Sequence, residues 1–442
     1  MKLSGWGRYP VLEARLGAPR DLDALGEHVR AGAAIARGNG RSYGDSAVSP
    51  DNTVHMRHFH HMLAFDPTTG QLVAEAGVLL ADVIAAFLPR GWFPAVTPGT
   101  KFVTLGGMIA ADVHGKNHHR DGSFASCVDW IDLMDATGRL HRCSRDENAE
   151  LFGWTLGGMG LTGIILRAAI RLRPVETGWI RQTTKSAPSL EAAMAALEAS
   201  DEATYSVAWI DCLGTGAQLG RSLVMLGEHA TRQELSGPQA ANPFAMGPRR
   251  RLSVPVDAPA ALLNGLTVRA FNALYYWKGT RGAGTRLVGW DGYFYPLDGI
   301  LGWNRIYGRR GFVQFQCALP PDTAEAGLRA LLRTTSQAGA GSFLAVLKRF
   351  GTADGPGQFS FPMPGYTLAL DFPVRAGTER LMDRLDAITL EHDGRFYLAK
   401  DARMSARTLE QSDPRTAIFR AGRARMGMRP AFASAQSERL DL

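Results

Sequence analysis

The sequence contains few cysteines, four in 442 residues. Cys127, Cys143, Cys212 and Cys317 lie far apart, and no Cys-x-x-Cys pair occurs. This spacing argues against a cysteine zinc site and against a dithiol redox motif. No His and carboxylate spacing completes a metal-ligand set either. We therefore expect reduced thiols, a cytoplasmic protein and no bound metal.

Long hydrophobic runs are also missing. No window reaches the roughly 18 apolar residues that a membrane-spanning helix needs. Residues 1–17 contain neither the apolar core nor the small-residue cleavage site of a signal peptide. The sequence therefore predicts neither secretion nor membrane spanning.

Acidic residues are in the minority, and the formal net charge is +7. This balance suits an anionic ligand or an acidic membrane surface, although charge alone does not identify a partner. Residues 249–251 (Arg-Arg-Arg) form a basic tract, but no zinc-finger, RNA-binding or helix-turn-helix signature accompanies them. Nucleic acid is therefore not a predicted partner.

The length favours two domains. Residues 33–174 alternate short apolar runs with helical segments, whereas the residues after Pro174 contain longer strands and two amphipathic helices, at 323–337 and 377–394. This order predicts an α+β fold in which an antiparallel sheet backed by helices follows the first domain. The expected division is 1–178, 179–394 and a segment 395–442 that returns to the first domain.

Residues 229–289 are rich in proline, glycine and arginine, and they are too many for an ordinary connection. In their middle, residues 262–277 (LLNGLTVRAFNALYYW) place apolar and aromatic side chains at roughly helical spacing. Two interpretations remain open. The segment is either a core helix beneath a loop or a helix that lies on a bilayer surface.

Two glycine-rich segments stand about sixty residues apart. Residues 37–45 (RGNGRSYGD) follow a strand-like run, and residues 98–123 (PGTKFVTLGGMIAADVHGKNHHRDGS) join a glycine pair to a histidine cluster. Gly106 and Gly107 precede an apolar run, where the backbone amides of a helix N-terminus could hold a phosphate. A tight surface turn is the alternative for residues 37–45. Together the segments suggest two walls around one pyrophosphate.

Residues 158–163 (GMGLTG) match the letters of a dinucleotide-binding fingerprint. That motif must follow a strand and open a helix, whereas the β-branched run after Gly163 predicts a strand. We therefore expect a turn between a helix and a strand instead of a Rossmann loop.

With these motifs the chain resembles the flavoprotein oxidoreductases of the vanillyl-alcohol oxidase superfamily. Within it, GRSYGD, PGT…GG…HGKNHH, WNRIYG (303–308), Gln314-x-Gln316 and residues 397–400 (YLAK) resemble the decaprenylphosphoryl-β-D-ribose 2'-oxidases. The resemblance runs nearly end to end. It implies an FAD-binding domain of the PCMH type and oxidation of the 2'-hydroxyl of a polyprenyl-phosphoryl ribose. An aldonolactone or alditol oxidase with a soluble substrate is the alternative.

The resemblance also implies a set of residues that contact FAD. Many members of the superfamily bond the flavin covalently to a histidine two positions before Tyr43, where this chain has Arg41. We therefore expect noncovalent FAD. The implied cofactor contacts are Arg37, Gly38, Asn39, Gly40, Arg41, Ser42, Tyr43, Pro98, Gly99, Thr100, Val103, Gly106, Gly107, Val113, His114, Gly115, Gly158, Gly163, Ile165, Tyr397 and Ala399.

Oxidation of an alcohol requires loss of a hydroxyl proton and of a hydride. In the resembled family, the lysine that corresponds to Lys400 lies beside flavin and substrate, and a nearby cation stabilises the developing negative charge. His114 is the second predicted catalytic residue, with a satisfied core histidine as the alternative. Gln314 and Gln316 share one face of a strand, where paired amides suit sugar hydroxyls or simply face solvent. The implied substrate contacts are Lys116, Trp209, Arg305, Gln314, Gln316, Lys348 and Lys400.

The chain departs from the family pattern at two positions of the sugar-facing wall. Mycobacterial members have cysteine where this chain has Ala369 and asparagine where it has Thr367. Inhibitors that attack that cysteine are not expected to bond covalently here. The resemblance further implies a lipid-linked sugar phosphate as substrate, a separate NAD(P)H-dependent short-chain reductase as partner and peripheral contact with the inner face of the plasma membrane.

Overall fold

A computed structural model describes residues 1–245, 252–259, 262–342, 344–352 and 355–442. The arginine tract at 249–251 lies outside the described residues. The first part of the chain contains β1 (Lys2–Leu3), β2 (Leu12–Glu13), β3 (Leu16–Gly17), α1 (Leu22–Arg30), β4 (Ala34–Arg37), β5 (Asn52–His55), β6 (Met62–Asp66), β7 (Gln71–Glu75), α2 (Leu80–Phe87), β8 (Trp92–Pro94), α3 (Leu105–Ala110), α4 (His118–Asp121), β9 (Val128–Met134), β10 (Leu140–Ser144), α5 (Ala149–Thr155) and β11 (Ile164–Pro174).

Two larger sheets and the short antiparallel pair β1-β2 form this first domain. β3, β5 and β4 pair in parallel, and a larger antiparallel sheet has the order β10-β9-β11-β7-β6, with β8 paired to the end of β11. The expected turn at 158–163 is confirmed, because it joins the end of α5 to the start of β11. Gly160 and Gly163 there have φ angles of 78° and 150°, which glycine tolerates best.

The second domain is built on one sheet, as the sequence predicts. Its elements are β12 (Trp179–Ala187), α6 (Leu190–Glu198), β13 (Tyr205–Ile210), β14 (Ser222–His229), α7 (Gly237–Ala241), β15 (Leu252–Ser253), α8 (Gly265–Arg281), β16 (Gly284–Gly289), α9 (Trp290–Phe294), β17 (Ile300–Leu301), β18 (Phe312–Leu319), α10 (Pro321–Gln337), β19 (Ala345–Phe350), β20 (Gly365–Pro373) and α11 (Thr378–Glu391).

The sheet of the second domain has the order β16-β12-β14-β13-β19-β20-β18-β21, where β21 is Arg395–Phe396. Every pair in it is antiparallel. α6, α10 and α11 contact the sheet and bury apolar residues such as Leu328, Leu332 and Leu385. Because side chains alternate along each strand, the opposite face of the sheet is left to line a cavity.

Residues 397–442 return to the first domain, with α12 (Ala406–Ser412), α13 (Arg415–Arg425) and α14 (Ala435–Arg439). Ala34 N donates to Ala431 O at 2.9 Å, and Tyr43 N donates to Ala399 O at 2.9 Å. Arg439 Nη2 contacts Asp45 Oδ1 at 2.8 Å. The segment therefore holds the glycine-rich loop 38–43 in place.

Candidate active site

A cavity of about 390 Å³ lies between the two domains. Its first wall consists of residues 38–43, 97–100 and 113–116, and its second wall is the free face of the large sheet. The sheet contributes Gln314, Gln316 and Lys348. Residues from distant parts of the sequence therefore share one enclosed site.

Two loops of the first wall present unused backbone donors. Within the residues that the structure describes, the amides of 38–42 and of Gly99 and Thr100 donate to no acceptor. The guanidinium of Arg41 lies 4.0 Å from the ring centre of Trp6, yet its buried Nε has no partner among those residues. The buried Arg41 Nε calls for an acceptor, and the unused amides of the two loops suit an anion, so these loops fit the pyrophosphate of FAD.

The backbone amides of Gly106 and Gly107 are not free to hold a phosphate, contrary to the prediction from the sequence. They lie inside the first turn of the six-residue helix α3, and their amides are already bonded, to Ala76 O and to the N-cap hydroxyl of Thr104. A Cβ at Gly106 would come within 2.8 Å of Ala76. The glycines thus let α3 pack against the strand wall, and the anion-binding geometry belongs to the neighbouring loops.

His114 joins the two domains through side-chain contacts. Lys348 Nζ lies 2.8 Å from its Nδ1, and Gln316 Nε2 lies 3.0 Å from its Nε2. Burial, with the nearby Lys348 charge, lowers the pKa of His114 well below its usual value. The imidazole is therefore neutral at pH 7, and the core-histidine alternative gives way to a histidine in the cavity wall.

The partners of His114 define its tautomer. When Lys348 is protonated, its ammonium can only donate, so Nδ1 accepts and Nε2 carries the proton. Nε2 then needs an acceptor, which Gln316 supplies when its amide oxygen points to the ring and its nitrogen points away. Amide oxygen and nitrogen are interchangeable in shape, so this orientation is assigned from the network.

Lys400 projects into the cavity over an aromatic ring. Its Nζ lies 3.6 Å from the ring centre of Tyr43, within the range of a cation–π contact. Burial lowers the pKa of Lys400 to about 8, although the nearby Asp371 carboxylate opposes the shift. The amine therefore titrates close to physiological pH, as a group that exchanges a proton in catalysis should.

Two further lysines share the cavity. Lys116 Nζ donates to Tyr293 O and lies 4.1 Å from the Tyr293 ring centre. Burial lowers the pKa of Lys116 to about 7 and also lowers that of Lys348 to about 7, with the charges of Lys116 and Lys400 adding to the second shift. Three amines held at low pKa make the cavity a receptor for negative charge.

The structure brings most of the predicted site residues together and leaves three outside the cavity. Arg37 donates to Ser4 O and Ala47 O behind the loop, and Gly158 packs against Trp154. Arg305 is exposed and donates to Pro255 O. The predicted residues that line the cavity are Gly38, Asn39, Gly40, Arg41, Ser42, Tyr43, Pro98, Gly99, Thr100, Val103, Gly106, Gly107, Val113, His114, Gly115, Lys116, Gly163, Ile165, Trp209, Gln314, Gln316, Lys348, Tyr397, Ala399 and Lys400.

Sequence reasoning missed part of the cavity lining. Trp6 and Asp298 come from segments with no motif, and Asp298 is fixed by Thr100 Oγ1 and Lys101 N. Ala369 also lines the cavity, whereas all four cysteines are buried outside it. His118 and His119 lie in α4, and His119 Nε2 contacts Ala203 O.

α8 lies beside the cavity and contributes one side chain to its lining. Tyr275 lines the cavity and packs at a tilt against Trp209, with ring centres 4.8 Å apart. α8 buries Val268 and Asn272 and exposes most of its remaining side chains, so the core-helix interpretation of residues 262–277 is wrong. Its exposed large apolar residues are Leu266, Phe271, Leu274, Tyr275 and Trp277.

Comparison with known proteins matches residues 23–144 to an FAD binding domain. The chain is 35% identical to decaprenylphosphoryl-beta-D-ribose oxidase of Mycolicibacterium smegmatis, across 100% of this chain and 97% of that protein. It is also 35% identical to an uncharacterized protein in the mprA 5' region of Streptomyces coelicolor, across 82% of this chain and 99% of the relative. L-gulonolactone oxidase of Bos taurus is 30% identical over only 34% of this chain and 36% of its own.

The matched domain, the donor-rich loops and the amine-lined cavity define an FAD-dependent oxidoreductase with an α+β, two-domain fold. The full-length similarity is more specific. The chain belongs to the FAD-linked oxidase family that includes decaprenylphosphoryl-beta-D-ribose oxidase.

Proposed function

We propose that the protein oxidises the 2'-hydroxyl of a polyprenyl-phosphoryl-β-D-ribose to the 2'-keto sugar. A separate NAD(P)H-dependent short-chain reductase would then complete the epimerisation to an arabinose donor for cell-envelope glycan synthesis. The observation that carries the proposal is the 35% identity with the ribose oxidase, which extends through the substrate-facing sheet and not only the FAD domain. L-gulonolactone oxidase of Bos taurus, by contrast, matches about a third of the chain.

The cavity contains groups suited to alcohol oxidation. FAD, when bound, accepts the hydride that leaves the carbinol carbon. Lys400 takes up the hydroxyl proton as a neutral amine or stabilises the alkoxide as an ammonium, and a pKa of about 8 permits either role. Gln316, held between His114 and Thr367, orients the sugar through its amide. Lys348 and Lys116 offer positive charge to the phosphate.

The position of α8 beside the cavity suits a lipid-linked substrate. α8 buries Val268 and Asn272 on one side. The opposite side carries an apolar stripe, formed by Leu266, Leu274 and Trp277, which are 78%, 62% and 51% exposed. No helix in the described ranges is long and apolar enough to cross a membrane. We infer that this stripe touches the inner face of the plasma membrane while the polyprenyl chain passes beside Tyr275.

An anaerobic flavin titration tests the substrate. The purified holoprotein is mixed with farnesyl-phosphoryl ribose, with free ribose, and with aldonolactones and alditols, and the flavin absorbance is followed. Bleaching by the lipid-linked ribose alone is the expected result. Bleaching by lactones or alditols would assign the protein to the soluble sugar oxidases, and bleaching by none would reject the proposed substrate class.

A further inference from the structure

Asp371 is a buried acid directly behind the cavity. It lies in the middle of β20, has 0% exposed side chain and pairs across the strands with Gln314. Gln314 Nε2 donates to its Oδ1 at 2.5 Å, and the Tyr307 hydroxyl donates to its Oδ2 at 3.3 Å. Its own amide donates to Ser342 Oγ at 3.0 Å. The roles proposed above for the cavity residues do not use this acid.

A carboxylate without access to water is stable only when a cation and hydrogen bonds compensate it. In the described part of the chain, Lys400 is the cation whose charge acts on Asp371. Tyr43 lies between the two, because Lys400 lies over its ring and Gln314, the partner of Asp371, acts on its hydroxyl. Burial raises the pKa of Asp371 to about 7, and the Lys400 charge opposes that rise.

Other titratable groups lie near Asp371 and Lys400, and the direction of the effect of each on protonation follows from its charge. The Lys400 charge acts on both Lys348 and His114. A protonated Lys348 favours the neutral form of Lys400, whereas His114 is itself neutral. Tyr43 and Tyr307 flank Asp371, and burial raises the pKa of both phenols well above its usual value, so both are neutral. Arg41 and Asp298 act on Tyr43 from the far side. Asp371 is thus the acid that favours a protonated Lys400.

We propose that Asp371 is a positioning residue for catalysis. Its buried carboxylate orients Gln314 and holds the proton on Lys400, and thereby sets the pH range in which the substrate is oxidised. The inference rests on the proposed role of Lys400 in flavin reduction.

Replacement Asp371→Asn keeps the shape and the acceptor for Gln314 and removes the charge. The pKa of Lys400 should then fall by about 1 pH unit or more, the usual effect of losing a close opposite charge. In the pH profile of the anaerobic flavin-reduction rate, the limb that follows the ionisation of Lys400 should move to lower pH by the same amount. This direction is the same whether the amine or the ammonium is the active form.

A readout independent of turnover is the rate of acetylation by trace acetic anhydride, measured by peptide mass spectrometry on the holoprotein. Only neutral amines react, so the pH dependence of labelling at Lys400, relative to exposed Lys278, gives its pKa directly. Labelling of Lys400 at pH 7 should rise several-fold in Asp371→Asn. Asp386→Asn is the matched control, because Asp386 is another buried acid, paired with Arg403 instead of a cavity lysine.

The outcomes separate the inference from the proposed function. A Lys400 pKa that is the same in wild type and Asp371→Asn overturns the inference even when the substrate is right. A shifted labelling pKa with an unshifted kinetic limb supports the electrostatic link and rejects its catalytic role. If Asp371→Asn does not fold, Tyr307→Phe replaces it. Loss of that hydroxyl disfavours the carboxylate, so a smaller shift in the same direction is required, and its absence overturns the inference.

Discussion

Lys400 contributes the amine nearest to the Tyr43 ring, and its loss should separate catalysis from cofactor binding. For Lys400→Ala we expect substrate-driven flavin reduction to slow by about 100-fold or more, the scale of a lost acid–base group. FAD should remain bound, because loops 38–42 and 99–100 are unchanged. Stopped-flow absorbance measures the rate, and Lys278→Ala on the exposed face of α8 is the control. A wild-type rate in Lys400→Ala would reject the assignment.

Lys348 illustrates a conflict between function and stability. Its folded pKa of about 7 lies below the usual value of 10.5, so between these pH values the unfolded chain binds more protons and stability rises with pH. Lys348→Met should therefore raise the Tm of the apoprotein at pH 7, and the gain should disappear towards pH 10.5. Thermal melts at pH 7 and pH 10 measure this. A gain independent of pH would show that packing, not charge, is responsible.

For single residues, the sequence was most informative where the local backbone geometry determines the direction in which a side chain points. Strand alternation correctly placed Gln314 and Gln316 on one face, and Phe315 between them is buried. Arg305 was the opposite case, because a short helix and its bond to Pro255 turn the guanidinium to solvent. Trp6 and Asp298 carried no sequence signal, since only tertiary folding brings them to the cavity.

Among the elements, α8 carries the membrane hypothesis. Charges introduced into its apolar stripe, as in Leu274→Lys with Trp277→Lys, should weaken binding to uncharged phosphatidylcholine vesicles by about 10-fold or more, because each lysine opposes burial in the acyl region and a neutral surface does not attract it. Oxidation of a short-chain soluble substrate should change little. Vesicle sedimentation measures the binding.

The matched control for that experiment is Leu63→Lys, an equally apolar position of β6 that is 47% exposed in the first domain. Equal vesicle binding by wild type and the α8 variant would show that the apolar stripe does not contribute to membrane contact.

Elements with strong periodicity were predicted correctly. The helices at 323–337 and 377–394 correspond to α10 and α11, and the antiparallel sheet is confirmed. The environment of α8 was ambiguous because its own apolar residues lie on several sides of the helix. Periodicity does not distinguish a helix face in the protein core from one that faces lipid. The phosphate role of Gly106 and Gly107 was wrong, since hydrogen bonds from the rest of the domain already occupy those amides.

For the whole molecule, the cofactor should bind without a covalent link. Arg41 stands at the position of the bonding histidine, and no cysteine lines the cavity in the described ranges. Acid precipitation should therefore release all the flavin into the supernatant. Free FAD at about 100 times its Kd should stabilise the apoprotein by about 2.7 kcal/mol. Flavin that stays with the precipitated chain would contradict this prediction.

The fixation of loop 38–43 by residues 397–442 has a consequence for biosynthesis. Ala399 O accepts the hydrogen bond from the Tyr43 amide, and Arg439 pairs with Asp45. Both residues are translated more than 350 residues after the loop itself. The nascent first domain leaves the ribosome with this wall of its cofactor site unsupported. We therefore expect flavin uptake to follow the synthesis and docking of residues 397–442, so that bound flavin marks a chain in which these residues have folded onto the first domain.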